Sequence, residues 1–154
     1  MANFAIRPAH ASDRDQLVEM RVLLWPESSE ENQRKELDAC FAGRASGTLP
    51  VIHLVSVADD GSLTGFLEAD LRSHADGCDV THPVGYVEGW FVREAHRGRG
   101  VGAALLRAAE DWARLQGCRE MASDALIDNQ GSQQAHEALG FAVVDRCVHY
   151  RKPL

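Results

Sequence analysis

The order of predicted strands and helices indicates a single α/β domain, in which helices cover a mixed sheet. The chain has 154 residues, a length that suits one domain with one core. Apolar residues make up 45% of the chain and charged residues 25%, as is usual in globular proteins. Short apolar segments alternate with amphipathic ones in the order β-α-α-β-β-β-α-β-α-β, and this order predicts helices packed on a mixed sheet.

The first half of the chain is predicted to contain three strands and two helices. Ser12 is the expected N-cap of the first helix, and Pro26 ends that helix because the residue before a proline avoids helical geometry. The sequence DDGS at 59–62 joins two strands and is typical of a hairpin turn. The predicted elements are a strand at 4–9, helices at 12–24 and 30–41, and strands at 51–58 and 63–71.

The second half of the chain is predicted to add three strands and two helices. The segment 101–116 has a strong amphipathic pattern, and Gly117 ends it. Another glycine, Gly140, ends the last predicted helix. The predicted elements are a loop at 72–83, strands at 84–92, 118–126 and 142–152, and helices at 101–116 and 132–139.

The composition disfavours several classes of partner and site. The formal net charge is −7, so we expect neither nucleic acid nor an anionic membrane as the main partner, because both attract positively charged surfaces. No segment has the roughly 18 consecutive apolar residues of a membrane-spanning helix, and residues 1–15 do not resemble a secretory signal. The four cysteines are scattered without zinc-ligand spacing, so we expect free thiols in a reducing cytoplasm and no metal site.

The stretch HRGRGVG at 96–102 places three glycines and two arginines between a predicted strand and a predicted helix. Glycines let the backbone approach a ligand closely, and the amides at a helix N-terminus carry partial positive charge. Arg97 and Arg99 add full positive charges, so a diphosphate or pyrophosphate is the expected ligand. The Walker lysine pattern is absent, and a dinucleotide-binding GxGxxG would lie earlier in the chain, in another order of elements. A purely structural turn is the alternative.

This stretch also resembles a motif of a known family. Residues 97–102 match the (Q/R)xxGx(G/A) motif of the GNAT superfamily of acyl-CoA-dependent N-acetyltransferases, and the flanking strand and helix resemble that family's pyrophosphate-binding unit. The order of elements is similar from end to end. The resemblance implies a twisted mixed sheet of about six to seven strands with one splayed strand pair and about four flanking helices. It also implies acetyl-CoA as the co-substrate and no metal.

The resemblance places the cofactor site around the predicted strand at 84–92 and the glycine turn. The exposed strand edge at Trp90, Phe91 and Val92 is expected to bond the pantetheine arm, while plain core packing is the alternative for the Trp90 and Phe91 side chains. Asn129 is expected to contact the pantetheine or the phosphate side. The residues expected to surround the pyrophosphate are Arg97, Gly98, Arg99, Gly100, Val101, Gly102 and Ala103.

Short segments narrow the resemblance to the aminoglycoside 6′-N-acetyltransferases, enzymes that inactivate antibiotics. These segments are RVLLWP at 21–26, DGCD at 76–79, VEG at 87–89, CREMASD at 118–124, LGF at 139–141 and YRK at 150–152. CREMASD is the most specific of them, because nothing about a strand requires that string. An aminoglycoside is a polycation, so acidic residues around a cleft agree with such an acceptor.

The resemblance and the acidic residues together indicate where the acceptor binds. Strand alternation predicts that Glu88 shares a face with Trp90 and Val92, and either Glu68 or Asp70 is expected to extend an acidic wall. The expected substrate-binding residues are Trp25, His74, Glu88, Asp124 and Asp145. The alternatives are a core position for Trp25, a cap or turn role for Asp124, and simple solvation for His74 and Asp145.

The expected reaction is direct transfer of the acetyl group to an amine in a ternary complex. An ammonium cannot attack a thioester, so a proton must leave first; Asp124 is the first choice of base, and Glu88 acting through water is the second. A backbone amide at Phe91 or Val92 is expected to stabilise the oxyanion. Tyr150 is a candidate proton donor for the departing thiolate, with a buried sheet tyrosine as the alternative.

Two other functions remain open from the sequence alone. A GNAT enzyme that acetylates a polyamine, an amino-sugar or a protein N-terminus or lysine has the same fold, because a fold does not determine the acceptor. A module that binds acyl-CoA or a drug without turnover is the second alternative. We also expect a homodimer that pairs through its C-terminal strands, with CVHYRK at 147–152 available for the contact.

Overall fold

A five-stranded sheet forms the centre of the computed structural model, which describes residues 3–43 and 49–154. The strands are β1 Phe4–Pro8, β2 Val51–Ala58, β3 Leu63–Arg72, β4 Val84–Val92 and β5 Met121–Ser123. The helices are α1 Arg14–Leu24, α2 Glu30–Phe41, α3 Val101–Leu115 and α4 Gln130–Ala138. Short 3₁₀ turns at Ala11–Asp13 and Glu94–His96 precede α1 and follow β4.

The sheet is mixed, with one parallel pair at its edge. Strands β1 to β4 are successive antiparallel neighbours, and β5 lies parallel to β4. A parallel pair needs a crossover connection, and α3 supplies it between β4 and β5. The mixed α/β class predicted from the sequence is therefore confirmed, although the described residues contain five strands rather than the expected six to seven.

Helices cover both faces of the sheet. The core on the α3 face contains Leu54, Leu67, Ala69, Val87, Leu105, Leu106 and Ala109. The core on the face covered by α1 and α2 contains Leu17, Val18, Met20, Leu37, Val55, Leu63 and Phe66. Full burial of one leucine or phenylalanine side chain contributes about 1.5–3 kcal/mol, so these two cores hold the helices on the sheet.

The start of α1 differs from the prediction. Ser12 lies in the 3₁₀ turn, and α1 begins at Arg14, so Ser12 is not the N-cap. The side chain that organises this turn is Asp13, whose carboxylate accepts the His10 backbone N–H at 2.8 Å and a guanidinium N–H of Arg7 at 2.6 Å. The Arg7 guanidinium lowers the pKa of Asp13. These charge-assisted hydrogen bonds join β1 to the start of α1.

A β-bulge interrupts the pairing of β4 with β3. Glu68 pairs with Gly89 and Ala69 pairs with Val87, so Glu88 has no partner in β3. Two residues of β4 therefore lie opposite one residue of β3, and the extra residue shifts the alternation of all the side chains beyond it.

The bulge places Glu88 on a different face from Trp90 and Val92. Trp90 and Val92 pack against the core under α3, whereas Phe91 packs against the core under α1 and α2. Glu88 is partly exposed and accepts a hydrogen bond from Arg72 on the α1 side of the sheet. The prediction that Glu88 shares a face with Trp90 and Val92 is therefore wrong, because it assumed regular alternation along the whole strand.

The last two predicted strands are shortened or absent. β5 contains only Met121–Ser123 of the segment predicted at 118–126. The strand predicted at 142–152 is not formed, and Val148 and Tyr150 within it are 73% and 92% exposed. A strand needs a neighbour for its backbone hydrogen bonds, and the described part of the chain provides none for this segment.

Candidate active site

The glycine turn and the first turn of α3 form a site suited to a phosphate group. Gly98 and Gly100 have φ angles of +71° and +82°, in the left-handed region that favours glycine. Within the described ranges, no side chain caps the start of α3 at Val101, and no acidic residue lies in its first turn. Its first backbone N–H groups therefore lack intrahelical partners and carry the positive end of the helix dipole. This arrangement favours an anion.

The two arginines of the turn have different surroundings. The Arg97 Nε donates a hydrogen bond of 3.0 Å to the Val92 carbonyl oxygen, and its guanidinium carbon lies 5.9 Å from the centre of the Phe91 ring. Arg99 instead lines a shallow cavity together with acidic side chains of the β2–β3 turn. Arg97 therefore fastens the turn to the end of β4, in addition to any contact with a ligand.

β4 and β5 separate next to this turn. Their pairing ends at Val87 and Ser123, whereas β4 continues to Val92. Beyond Val87 the edge of β4 that faces β5 has no strand partner among the residues described. Apart from the Val92 carbonyl oxygen, which accepts from Arg97, its backbone N–H and C=O groups are therefore available to a ligand. The splayed strand pair expected from the family resemblance is present at this position.

The Trp90 side chain lies between the separated strands and the N-terminus of α3. A Cβ atom on Gly102 would lie 3.3 Å from its indole ring, and the His136 ring meets it edge to face at 5.3 Å between ring centres. The Trp90 Nε1 is buried without a hydrogen-bond partner in the described structure, which makes it a candidate ligand contact. Phe91 has a core role on the opposite face, where its ring lies 6.1 Å from that of Phe66.

Helix α4 is fixed beside the end of β5. Asn129 caps this helix, because its Oδ1 accepts the Ser132 backbone N–H at 3.0 Å, and the helix begins at Gln130 rather than at Ser132. On the same helix, the His136 Nε2 lies 2.8 Å from the Ser123 Oγ. Asn129 thus has a structural task in addition to its predicted contact with the cofactor.

Polar side chains of β3, β4 and the end of β5 form a second group on the α1 side of the sheet. We call Asp70, Arg72, Tyr86, Glu88 and Asp124 the acidic cluster. Asp70 and Tyr86 are cross-strand partners. Arg72 donates a 2.5 Å hydrogen bond to Glu88, and its Nε lies 3.8 Å from the Asp70 carboxylate. The Arg72 guanidinium carbon lies 3.3 Å from the centre of the Tyr86 ring, so the guanidinium covers that ring.

Burial and nearby negative charge raise two pKa values within the acidic cluster. Burial, followed by the negative charge of Glu88, raises the pKa of Asp70 to about 6. Burial and the nearby Asp124 carboxylate raise the pKa of Tyr86 to about 12, so its hydroxyl stays protonated at neutral pH. A carboxyl group with a pKa near 6 exchanges its proton close to neutral pH, as groups in functional sites often do. The cluster holds three carboxyl groups and one guanidinium, so it attracts cations.

Trp25 stands beside the acidic cluster at the end of α1. A Cβ atom on Gly89 would lie 2.6 Å from the Trp25 ring, so the ring can rest on β4 only because residue 89 is glycine. Gly89 follows Glu88, which places the indole next to the bulge. The Arg21 guanidinium carbon lies 5.0 Å from the centre of the indole ring and supports it from within α1. Trp25 therefore combines a packing role with a position at the cluster.

Glu68 does not belong to the acidic wall that the sequence suggested. It is buried and accepts a hydrogen bond from Arg21, which also donates to Glu36 of α2 at 2.7 Å. Burial acts to raise the pKa of Glu68, but His53 and Arg21 beside it hold that pKa below its ordinary value. Glu68 and Arg21 therefore join α1, α2 and β3, and of the two alternatives Asp70 is the one that lies in the cluster.

Three predicted site residues lie apart from the acidic cluster. His74 is exposed, and its Nδ1 lies 3.4 Å from the neighbouring Ser73 Oγ. Asp145 accepts the Arg146 backbone N–H at 2.6 Å, and Tyr150 is exposed, so it is not the buried sheet tyrosine of the alternative. Within the described residues, none of the three forms an ion pair or hydrogen bond with the cluster. Their roles toward substrate stay predictions.

Arg72 and Tyr86 were not predicted as site residues. The sequence EADLR at 68–72 carries a charged residue at every second position, which is the signal for a polar strand face. The prediction ended this strand at residue 71 and assigned Arg72 to a loop, whereas β3 ends at Arg72. The register with β4, which brings Arg72 over Tyr86, has no signal in the sequence.

Metal-binding groups and membrane-spanning helices are both absent from residues 3–43 and 49–154. These ranges contain no group of three or more histidine, cysteine, aspartate or glutamate side chains that could hold a metal ion. No helix in the same part of the chain is long and apolar enough to cross a membrane. The four cysteines are free thiols, of which Cys118 is buried and Cys147 is exposed.

Sequence comparisons agree with this geometry. Residues 17–141 match the model of the acetyltransferase (GNAT) family. The aminoglycoside N(6′)-acetyltransferase type 1 of Klebsiella aerogenes is 38% identical over 149 residues, which are 97% of this chain and 96% of that protein. The protein of the same name from Salmonella typhimurium strain LT2 is 37% identical over 150 residues, which are 96% of this chain and 97% of that protein.

Structural comparisons extend the likeness to the whole fold. The structure of AAC(6′)-Iy in complex with the bisubstrate analog CoA-S-monomethyl-acetylneamine has a TM-score of 0.87 at 32% identity, covering 99% of this chain and 100% of that one. AAC(6′)-Ih from Acinetobacter baumannii has a TM-score of 0.84 at 30% identity, covering 99% of each chain. The motif, the splayed strands and these full-length matches lead to one conclusion: the chain belongs to the GNAT acetyltransferase family.

Proposed function

We propose that this protein transfers the acetyl group of acetyl-CoA to the 6′-amino group of aminoglycoside antibiotics. The observation that carries the proposal is the acidic cluster, which lies on β3 and β4 beside the point where β4 and β5 separate. The relatives named aminoglycoside N(6′)-acetyltransferase, at 37% and 38% identity over nearly the whole chain, support this acceptor and this position of acetylation. The complex of AAC(6′)-Iy with CoA-S-monomethyl-acetylneamine supports the same pairing of ligands.

The residues around the separated strands fit acyl-CoA. The free N–H groups at the start of α3 and the left-handed turn at Gly98 and Gly100 suit a pyrophosphate. The unpaired edge of β4 up to Val92 suits the amide groups of a pantetheine arm, and the Trp90 Nε1 is a further donor without a partner in the described structure. When bound, acetyl-CoA supplies the thioester that carries the acetyl group. Asn129 keeps its proposed contact with the pantetheine or phosphate side.

The acidic cluster fits a cationic acceptor. We infer that Glu88 and Asp124 hold ammonium groups through charge-assisted hydrogen bonds, which are stronger than neutral ones. The Trp25 ring beside Glu88 gives the acceptor an apolar wall. His74 and Asp145 remain proposed outer contacts, since both side chains are exposed.

The chain supplies carboxylates that can take the proton of the attacking amine. We assign the role of base to Asp124, with Glu88 acting through water as the second choice. Burial and the nearby Glu88 raise the pKa of Asp70 to about 6, so Asp70 can share that proton at neutral pH. Backbone N–H groups at Phe91 or Val92 are the proposed stabilisers of negative charge on the acetyl oxygen.

A pair of acceptors that differ at one position tests this proposal. Thiol release from acetyl-CoA is measured with kanamycin or tobramycin, beside an analogue that carries a 6′-hydroxyl in place of the 6′-amine. We expect turnover of the amine and none of the hydroxyl compound. Turnover of polyamines or peptide N-termini without turnover of either aminoglycoside would reject the acceptor but retain the enzyme class. Binding of acetyl-CoA without turnover of any amine would indicate a binding module.

We also propose that the protein is a homodimer formed through its C-terminal segment. Residues 141–154 have no regular structure, and the apolar side chains of Val143, Val144 and Val148 are 56%, 65% and 73% exposed. A second copy that adds this segment to its sheet would bury these side chains and pair the backbone. Tyr150 lies in the same segment, so its proposed role as proton donor depends on where the dimer places it. A single 16.9 kDa species in sedimentation would reject the dimer.

The proposal assigns the reaction to the cytoplasm and to small-molecule partners. The four cysteines are scattered along the sequence, and we propose that they stay reduced in the cytoplasm. The net charge of −7 disfavours nucleic acid and anionic membranes as ligands and favours cationic small molecules.

A further inference from the structure

Arg72 holds an unusual position within the acidic cluster. Among the described residues, it is the one cation that forms ion pairs with the cluster's carboxylates, at 2.5 Å from Glu88 and 3.8 Å from Asp70. Its guanidinium also covers the Tyr86 ring, with its carbon 3.3 Å from the ring centre. The guanidinium therefore makes the contacts that a cationic ligand of this cluster would make, namely hydrogen bonds to carboxylates and a cation–π contact.

The ion pair of Arg72 with Glu88 is more exposed to solvent than the structural ion pair of Arg21 with Glu68. The Arg21 and Glu68 side chains are 7% and 10% exposed, and Arg21 is engaged by α2 as well. The Arg72 and Glu88 side chains are 42% and 37% exposed. Exposed ion pairs contribute little stability, whereas breaking a buried pair is costly. Arg72 can therefore leave its partners at low cost, and Arg21 cannot.

The cluster is also left incompletely neutralised by Arg72. Three carboxyl groups face one guanidinium, and one oxygen of Asp70 is buried without a hydrogen-bond partner in the described structure. This oxygen lies 3.8 Å from the Arg72 Nε, so an ammonium group that replaced Arg72 could form the hydrogen bond that this oxygen lacks.

We propose that Arg72 occupies an ammonium subsite of the acceptor, and that a polycationic acceptor binds by displacing the Arg72 guanidinium from Glu88. Arg72 is then a specificity-determining residue, because an acceptor must supply enough positive charge to replace it. This inference rests on the proposed function, since it assigns the acidic cluster to the acceptor.

The test compares charge removal at residue 72 with charge removal elsewhere. Arg72→Met removes the charge and keeps a long side chain over Tyr86, whereas Arg72→Lys keeps the charge. The matched control is Arg114→Met, which removes an exposed guanidinium from the far end of α3, where it pairs with Glu110 and Asp111. Titration calorimetry measures the Kd of neamine for each variant, and steady-state kinetics measures kcat and both KM values.

The displacement model makes a specific prediction for each variant. We expect Arg72→Met to lower the Kd and KM for neamine about 3- to 10-fold, because the competing exposed ion pair is absent. The KM for acetyl-CoA should remain within about 2-fold of wild type, and Arg72→Lys and Arg114→Met should resemble wild type. Without acceptor, the Asp70 carboxyl followed by NMR should titrate at a higher pH in Arg72→Met, because a nearby positive charge is lost.

The outcomes separate this inference from the proposed function. An unchanged or raised Kd for neamine in Arg72→Met would overturn the displacement model, even if the wild type acetylates aminoglycosides. Tighter neamine binding in Arg72→Met without turnover by any variant would support displacement and reject the proposed reaction. Failure of every variant to bind neamine would overturn both.

Discussion

Substitution of Gly100 by alanine is expected to weaken the binding of acetyl-CoA through backbone geometry alone. Gly100 has a φ angle of +82°, and a Cβ atom there would meet nothing within 4 Å, so no steric clash accompanies the change. An L-residue held in left-handed geometry costs roughly 1–2 kcal/mol. The strain is relieved when the turn rotates, and that rotation moves the N–H groups that precede α3. Restoring the turn for the pyrophosphate then costs the same roughly 1–2 kcal/mol, which is about a 5- to 30-fold rise in Kd.

Gly61 offers a matched control for this prediction. It has a φ angle of +83°, and a Cβ atom there would also meet nothing within 4 Å, but it lies in the turn between β2 and β3. The melting temperature of Gly100→Ala and of Gly61→Ala should fall by no more than about 2–8 °C, which is the fall expected if the turn kept the whole strain instead of rotating. Only Gly100→Ala should raise the Kd for acetyl-CoA.

Calorimetric titration with acetyl-CoA and a thermal melt of each variant give the two readouts. If Gly100→Ala melts at the wild-type temperature and binds acetyl-CoA as tightly as wild type, the turn has rotated without any loss of affinity, and its geometry does not serve the cofactor. That result would refute the assignment of the pyrophosphate to this turn. Equal loss of affinity in Gly61→Ala would indicate a general loss of folded protein instead.

Three further predictions concern the charged residues. The pKa of Asp70 is raised to about 6, so this carboxyl is mostly ionised at pH 7 and loses its charge as the pH falls through 6. The KM for a cationic acceptor should therefore rise below about pH 6, and Asp70→Asn should remove this pH dependence. Asp124→Asn should lower kcat by about 100-fold or more, as loss of a general base does, with unchanged affinity for acetyl-CoA; wild-type kcat would reject Asp124 as the base. Arg21→Met should destabilise the fold by about 3–5 kcal/mol in denaturant titrations, because Glu68 stays buried without its cation; Arg114→Met should have little effect.

The parts of the site that follow from local rules were predictable from the sequence. The glycine turn has two residues with positive φ next to the start of a helix. Glycine adopts positive φ readily, so the glycines at 98 and 100 predict this turn from the sequence alone. The amphipathic pattern of α3 and its end before Gly117 are equally local. The turn and the helix start of the proposed cofactor site could therefore be predicted from the sequence.

The acceptor side depends on strand pairing, which no local pattern determines. The bulge at Glu88 arises from the register between β3 and β4, and it reverses the face on which every later side chain of β4 lies. The contact of Arg72 with Tyr86 depends on the same register. We expected the side chains of β4 to alternate regularly between the two faces of the sheet, and this expectation was wrong from the bulge at Glu88 onward.

The strand predicted at 142–152 fails for a different reason. Its apolar pattern is typical of a strand, but its backbone forms no hydrogen bond with a strand among the described residues of the chain. The sequence shows that the segment tends to pair with another strand, but it does not show whether that strand belongs to the same chain or to a second copy. The sedimentation experiment on the proposed dimer therefore also tests whether the prediction of a strand was wrong only for the isolated chain.

The bulge allows β4 to present a proposed acceptor contact on one face and a proposed cofactor contact on the other. With regular alternation, Glu88 would point with Trp90 into the core under α3, where an unpaired carboxylate is costly. The extra residue turns Glu88 toward Arg72 and the acidic cluster, while Trp90 remains beside Gly102 at the start of α3. The acidic side chain and the proposed cofactor edge thus lie within a few residues of each other on β4, and a direct transfer between two bound ligands requires such proximity.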